Sequence, residues 1–459
     1  MIARGACGPA GLGRRAGARA TLLAALLAGV AAGCGGAPPE TPRGVILISV
    51  DTLRPDLLGC YGYPRESSPA LDRIAAEGAL FENAFTTAPW TLPAHASLLT
   101  GVYPRRHGAI GERSAIADGV DTLAVRLVGS GFRTAAFVNS FYVSPHYGFA
   151  RGFQEFRYVP ETNSPEGDGM LGRALAWLAA EPRDRFFLFL HDYQVHSDYR
   201  SLPAFEQAFT RAYSGPFTGS TSELLAVREG KLVPTQGDVE HLRDLYVAGI
   251  RQQDEEIAVL RGFLERAGLW DRTLLVVTSD HGEEFLEHGG VLHGRTQYDE
   301  VLRIPLILRG PGVPAGTRIA RPVSIVDVLP TVLSLLGEPL PEEIDGTDLL
   351  ASEGPPGAAA QRILFGEADH NNREPDLTRS ARGTRFKLVL DRLSGEHSLY
   401  DLGIDPRERR DVKAANPDEV QRLLAALARF ESTRSAGPTL PATSPEVRKQ
   451  LEALGYVEP

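Results

Sequence analysis

Residues 45–50 read VILISV, a continuous run of apolar and β-branched side chains that ends directly in Asp51. Such a run, without polar alternation, marks a strand buried on both faces, as in a parallel sheet. The pattern recurs. Residues 186–190, FFLFL, run into His191 and Asp192, and residues 274–278, LLVVT, lead to Asp280 and His281. Helical periods lie between them, over 69–78, 122–130, 172–180 and 239–267. Strands alternating with helices over some three hundred residues predict an α/β fold, a large mostly parallel sheet with helices on both faces. In such sheets ligands sit beyond the carboxyl ends of the strands. Three buried strands each deliver an acid there, Asp51, Asp192 and Asp280, two of them beside histidines, and this pattern predicts a shared metal site.

Working outward, the chain divides readily. Arg14, Arg15 and Arg19 precede an apolar run over 22–32, which is too short to span a bilayer and has the shape of a secretory signal. The run ends in Ala31-Ala32-Gly33-Cys34, which looks like a bacterial lipobox, so residues 1–34 are expected to be a lipoprotein signal peptide and Cys34 a lipid anchor to the cell envelope. Residues 35–43, rich in Gly and Pro, follow as a tether. Residues 44–350 make the main domain. Residues 351–360 mark a boundary, and 361–459 a small α+β subdomain with strands near 363–366, 385–390 and 397–402 and a helix over 418–431. Residues 201–234, with weak periodicity, are read as an insertion, a lid or substrate-facing loop. Cys7 falls in the signal and Cys34 is the lipid site, so of three cysteines only Cys60 remains and no disulfide framework is possible in the mature monomer. A net charge of −10 argues against a nucleic-acid partner. The basic stretch Arg382 to Lys387 is too short to reverse that.

The stretch 88–108, APWTLPAHASLLTGVYPRRHG, reads as a loop entering a helix, with Thr91 at the cap, Pro93 in the first turn and Ala96, Leu98 and Leu99 following. A helix start presents free backbone N–H groups, an anion site into which the Thr91 hydroxyl and the His95 imidazole would point. Arg105, Arg106 and His107 stand ready either to steer an anion or to edge the loop.

These segments, with VDTLRPDLLGCYGYP (50–64), TSDHGEEFLEHG (278–289), YDEVLRIPLILRGPG (298–312), DVLPTVLSLLG (327–337) and LYDLGIDPRERRDV (399–412), resemble the sulfatases of the alkaline phosphatase superfamily. The resemblance implies a metal held by Asp51, Thr91, Asp280 and His281, with Thr91 at the nucleophile position, His95 on the ester oxyanion and His196 as a substrate or leaving-group histidine. It also implies substrate contacts from Asn139, His288 and Arg295. The departures carry chemistry. Sulfatases oxidise a cysteine or serine to formylglycine at the place of Thr91, and threonine would give a ketone, so no formylglycine is expected. His95 replaces an arginine, Thr52 an aspartate and Asn139 a lysine. Phosphodiesterases and lipoteichoic acid synthase-like phosphotransferases of the same superfamily use a metal-bound threonine directly. The phosphodiesterases add a second metal, whose ligands would fall on Asp192, His196 and His293, or His288 in place of His293.

The sequence thus predicts an exported, metal-dependent hydrolase of anionic phosphate esters, diesters preferred, or sulfate esters, on a glycan, lipid or small molecule. The metal is calcium, manganese or zinc. A phosphotransferase moving a lipid head group, and an inactive binding protein on the same fold, are the alternatives.

Overall fold

Strand β1 (Gly44–Val50) is buried along its whole length, because it lies inside the sheet and both of its faces are covered. Alternate residues sort to opposite sides. Val45 and Leu47 join Trp90, Leu98, Phe187 and Phe189 in one apolar cluster, while Ile46 and Ile48 join Leu188, Leu190, Tyr246 and Ile250 in the other. The computed structural model describes residues 41–159, 169–180, 185–351, 362–369 and 377–432, with isolated positions 8, 438 and 440. The signal segment, Cys34, most of the tether, the 352–361 boundary and nearly all of 433–459 lie outside the described residues.

The other strands of this sheet are β2 (Ala79–Phe81), β3 (Arg133–Val138), β4 (Glu155–Tyr158), β5 (Phe186–Asp192), β6 (Thr273–Thr278), β7 (Leu306–Arg309) and β8 (Thr317–Ile319). They lie in the order β8-β2-β7-β6-β1-β5-β3-β4. All neighbours pair in parallel except β7, which runs antiparallel to both β6 and β2. The apolar run 304–308 is not one strand: it is broken at Pro305, which has no N–H for a ladder. Arg303 and Ile304 pair instead with Phe85 and Ala84 in a small separate sheet.

Helix α1 (Thr91–Thr100) packs on the face that carries Val45 and Leu47, and the 31-residue α2 (Gln236–Arg266) packs on the other. The segment expected as an irregular insertion holds two short helices, Pro203–Phe209 and Thr221–Arg228. Ser220 and Glu223 close the second with reciprocal caps.

In the C-terminal subdomain, β9 (Leu364–Asp369), β10 (Leu377–Arg382), β11 (Phe386–Asp391) and β12 (His397–Asp401) form an antiparallel sheet under α3 (Pro417–Glu431). Strand β10 was not expected, since LTRSAR carries no apolar run. Two basic residues of this segment are not solvated. Lys387 is fully buried, with Nζ 2.7 Å from both Asp299 and Glu408, and Arg382 donates to Asp299 at 2.7 and 2.8 Å. The carboxylate of Asp299, outside this sheet, neutralises them. Arg105 and Arg106 are likewise structural: they pair with Glu367 and Asp345, and no loop edge is left to steer an anion.

Candidate active site

The carboxyl ends of β1 and β6 meet. Asp51 follows β1, its N–H donating to the Asp192 carbonyl at 2.8 Å. At Thr52 the chain turns with φ 59°, a left-handed conformation a β-branched residue adopts only under constraint. Its N–H donates to Asp280 Oδ1 at 3.2 Å and its carbonyl accepts from the Tyr246 hydroxyl at 2.6 Å, which supply that constraint. Asp280 Oδ1 also accepts the His281 N–H at 2.9 Å. Its Oδ2 is left facing His281 Nε2 at 3.2 Å.

His281 Nδ1 donates to the Gly282 carbonyl at 3.0 Å, which turns Nε2 toward Asp280, Asp51 Oδ1 (3.7 Å) and Thr91 Oγ1 (3.5 Å). Thr91 itself is the first residue of α1, not its cap. The cap position is Trp90, and no side chain caps the helix, so the Thr91 hydroxyl is directed at His281 instead.

All four residues are sealed from solvent. Burial and the neighbouring Asp280 push the Asp51 carboxyl up to about 7, against the pull of His196, His281 and His95. Burial works to raise Asp280 too, but His281 and His95 outweigh it and hold it well below the carboxylate range. For His281 burial pulls down, and Asp280 and Asp51 win, pushing it up to about 9. Two buried carboxylates thus demand positive charge between them. Asp51, Asp280 and His281 each offer a ligand atom within 4.8 Å of the others, and no other such group of three occurs among the described residues. Asp51 Oδ1 and Asp280 Oδ2 are buried without hydrogen-bond partners, and His281 Nε2, protonated in the metal-free protein, faces the same point and would give up that proton to a bound cation. This donor set fits a divalent cation.

The other expected site residues lie as follows. His95 has both ring nitrogens engaged within the protein: Nδ1 donates to the Thr91 carbonyl at 2.9 Å and lies 3.4 Å from Asp280 Oδ2, and Nε2 meets Ser49 Oγ at 2.9 Å. It braces the first turn of α1 against β1, and burial keeps it neutral with a pKa lowered to about 4. Asp192 does not share the metal site. It lies one residue past His191 on the opposite pleat, where its Oδ1 accepts the Gln194 N–H at 2.9 Å and its charge meets Glu256 of α2. Asp192, His196 and His293 therefore do not form a second metal group. His196 stacks on Tyr193 at 4.0 Å, with Nδ1 on the Ser197 carbonyl and Nε2 on the Tyr193 hydroxyl. His293 Nδ1 meets Glu283 Oε1 at 2.9 Å, and its ring lies 4.3 Å from that of His281. Asn139 Nδ2 donates to the Val159 carbonyl, the Arg295 carbonyl accepts from Thr378, and His288 stacks on Tyr298 and contacts Glu300 and the Glu408 carbonyl. None of these contacts is to the cluster.

The sequence reading passed over His191. Its Nε2 lies 3.1 Å from Asp51 Oδ2, while Nδ1 is buried without a partner. It orients Asp51 so that Oδ1 faces the cluster. The signal was present: in a strand where Asp192 faces one way, His191 must face the other.

The sulfatase family profile matches residues 43–338 of this chain. The chain belongs to the sulfatase family. It is thereby an ester hydrolase. A sulfatase of Escherichia coli (strain K12), itself uncharacterised, is 25% identical over 418 residues, covering 80% of this chain and 82% of its own. The structure of a protein in complex with its substrate D-glucosamine-2-N,6-O-disulfate superposes with a TM-score of 0.73 at 21% identity, over 86% of this chain and 98% of the other. The phosphonate monoester hydrolase of Agrobacterium radiobacter superposes with a TM-score of 0.66 at 22% identity, over 85% and 95%. At those identities the structural likeness establishes the fold. The large sheet with helices on both faces is the α/β fold that the sequence led one to expect.

Proposed function

We propose that this sulfatase-family protein is a metal-dependent ester hydrolase in which Thr91 Oγ1 is the nucleophile, acting on phosphate esters, diesters by preference. The observation that carries the reading is the position of that hydroxyl, 3.5 Å from His281 Nε2, the nitrogen that faces Asp51 and Asp280. Asp51, Asp280, His281 and Thr91 would hold the ion. When bound, a divalent cation supplies positive charge that favours the threonine alkoxide.

The side chains account for the rest. Thr91 Oγ1 forms a bond to phosphorus as the bond from phosphorus to the leaving alcohol breaks, and the leaving oxygen takes up a proton. Water then cleaves the Thr91 ester, restoring the hydroxyl and releasing the phosphomonoester. The N–H groups opening α1 face the non-bridging oxygens. His196 is held neutral by burial with a pKa lowered to about 4, and with Nδ1 on the Ser197 carbonyl and Nε2 on the Tyr193 hydroxyl it stands beside the reaction as a neutral polar neighbour, not as its base. His293 packs on His281 and His196 on His293, and at 8% and 3% exposed respectively, against none for the four cluster residues, they suggest the side of substrate approach.

Sulfate esters are the second reading, favoured by the relatives: an N-acetylglucosamine-6-O-sulfatase of Bacteroides thetaiotaomicron is 24% identical to this chain. Nitrophenyl esters of sulfate, phosphate and phosphodiester, offered with calcium, manganese or zinc, separate the two. Phosphodiester cleavage that Thr91→Ala abolishes is the expected result. Sulfate release alone would overturn the phosphate reading, release that needs an added acceptor would reveal a phosphotransferase, and bound metal with no ester cleaved would reveal a binding protein. We also propose that Cys34 is lipidated and anchors the enzyme in a bacterial envelope, where a sulfated or phosphorylated glycan, or a lipid, is the natural substrate. Cys34→Ala should release it into the soluble fraction.

A further inference from the structure

A second cavity, of about 730 Å³, opens between the loop after β1, the turn at 299–303 and the loops of the C-terminal subdomain. Asp51, Thr91, Asp280 and His281 do not line it. A single thickness of backbone separates the two sites. Arg54 Nη1 donates to the Glu283 carbonyl at 2.8 Å, and a Cβ on Gly282 would stand 2.1 Å from the Glu300 carbonyl and 3.3 Å from Arg54 Cγ. Two residues of the cavity wall, Arg54 and Glu300, thus pack against Gly282, the residue after His281.

Its walls hold six arginines against four carboxylates. Arg54 and Arg382 are engaged by Asp56, Glu287 and Asp299. Arg243 reaches Glu287 and Asp56 only at 3.6 and 3.9 Å. Arg303 donates to the carbonyl of Glu82, a neutral acceptor, and meets the charge of Asp56 only at longer range. Arg407 and Arg409 are exposed, and their guanidinium groups meet no partner among the described residues. In a chain of net charge −10 this cleft is a local excess of positive charge. Guanidinium forks match the geometry of phosphate and sulfate oxygens. The volume exceeds what one such anion needs and falls in the range of sites for small organic ligands. Uncharged parts of such a ligand would find hydroxyl acceptors in the wall carboxylates Glu300 and Asp56.

We infer that this cleft is an exosite for a second, non-reacting sulfate or phosphate group carried by a multiply anionic saccharide, with Arg407 and Arg409 as its anion contacts. The inference rests on the ester-hydrolase reading for the purpose of the site, and not for the binding itself.

The test uses the full chain carrying Thr91→Ala, so that nothing is turned over. A sulfated hexasaccharide, a phosphorylated one and their neutral counterpart are titrated calorimetrically. Binding of one or both anionic hexasaccharides and not the neutral one is expected, and which of them binds identifies the group. Arg407→Glu with Arg409→Glu should weaken that binding at least tenfold and flatten its salt dependence, with the melting temperature unchanged. On the Thr91 background, kcat for a small nitrophenyl ester should be unaltered by the same pair. Equal affinity with and without the arginines, binding of the neutral saccharide, or binding lost only with Asp280→Asn would each overturn the exosite. If no ester is cleaved by any form while anionic saccharide still requires Arg407 and Arg409, the exosite stands and the hydrolase reading falls.

Discussion

Strands β1 and β5 lie side by side, with Val50 opposite Asp192 in register, yet the acids at their ends do different work. Asp51 turns into the cluster, where His191 holds one oxygen and leaves the other bare. Asp192 turns to α2 and is satisfied by the Gln194 N–H. The difference is one step of the strand pleat. It exchanges a candidate metal ligand for a structural acid, and puts His191 where a shared-site reading would put Asp192.

Substitutions test this contrast directly. Asp280→Asn should lower turnover by about a thousandfold or more and abolish tight binding of manganese or zinc, since it takes a charged ligand from the cluster. Ester assays with metal titration check it. His191→Ala should cost about 10–100-fold in metal affinity, the usual loss when a group that orients a ligand is removed. His191→Gln, which keeps a donor toward Asp51, should recover part of that loss. Asp192→Asn should change turnover and metal affinity by no more than about threefold. A large metal defect in Asp192→Asn would break the contrast and restore the three-acid site.

A pH series sharpens the same comparison. Folding raises the Asp51 carboxyl from its ordinary value near 4 up to about 7. The folded state thus binds the proton more tightly than the unfolded one, so this group costs stability as pH rises from about 4 to 7. In metal-free protein the stability gained by Asp51→Asn over the wild type should therefore grow with pH across that window, by at most about 1.4 kcal/mol per unit. Saturating manganese should erase or reverse the gain. Thermal melts of both forms at pH 5, 6 and 7 check it, and a gain independent of pH and metal would contradict the raised carboxyl.

How much of this was legible in the sequence follows from the kind of signal each part carries. The central strands were plain because burial on both faces leaves unbroken apolar runs. Strand β10 was invisible, since its Arg379 and Arg382 look solvent-facing until the carboxylates of Glu367, Glu431 and Asp299 are brought to them from elsewhere in the chain. Pro305 was visible as a residue, but its effect was not, because the division between two sheets depends on where the partner strands lie. Asp51, Asp280 and His281 were legible as strand-end residues and do come together. His95 was legible as a first-turn residue, but the hydroxyl of Ser49 that occupies its second nitrogen is supplied by another strand. The charge excess of the cleft could not be read at all. It depends on which arginines find partners, and those pairings span the length of the chain.

The central claim is that Thr91 Oγ1 forms the covalent ester. It is tested most directly by quenching manganese-loaded enzyme with acid during turnover of a nitrophenyl phosphodiester and mapping the peptide that spans residues 88–105 by mass spectrometry. The account predicts a phosphoryl ester on Thr91 in the wild type, the same adduct on the residue at that position in Thr91→Ser, and neither adduct nor turnover in Thr91→Ala. Undiminished turnover by Thr91→Ala, or an adduct on a different side chain, would contradict it.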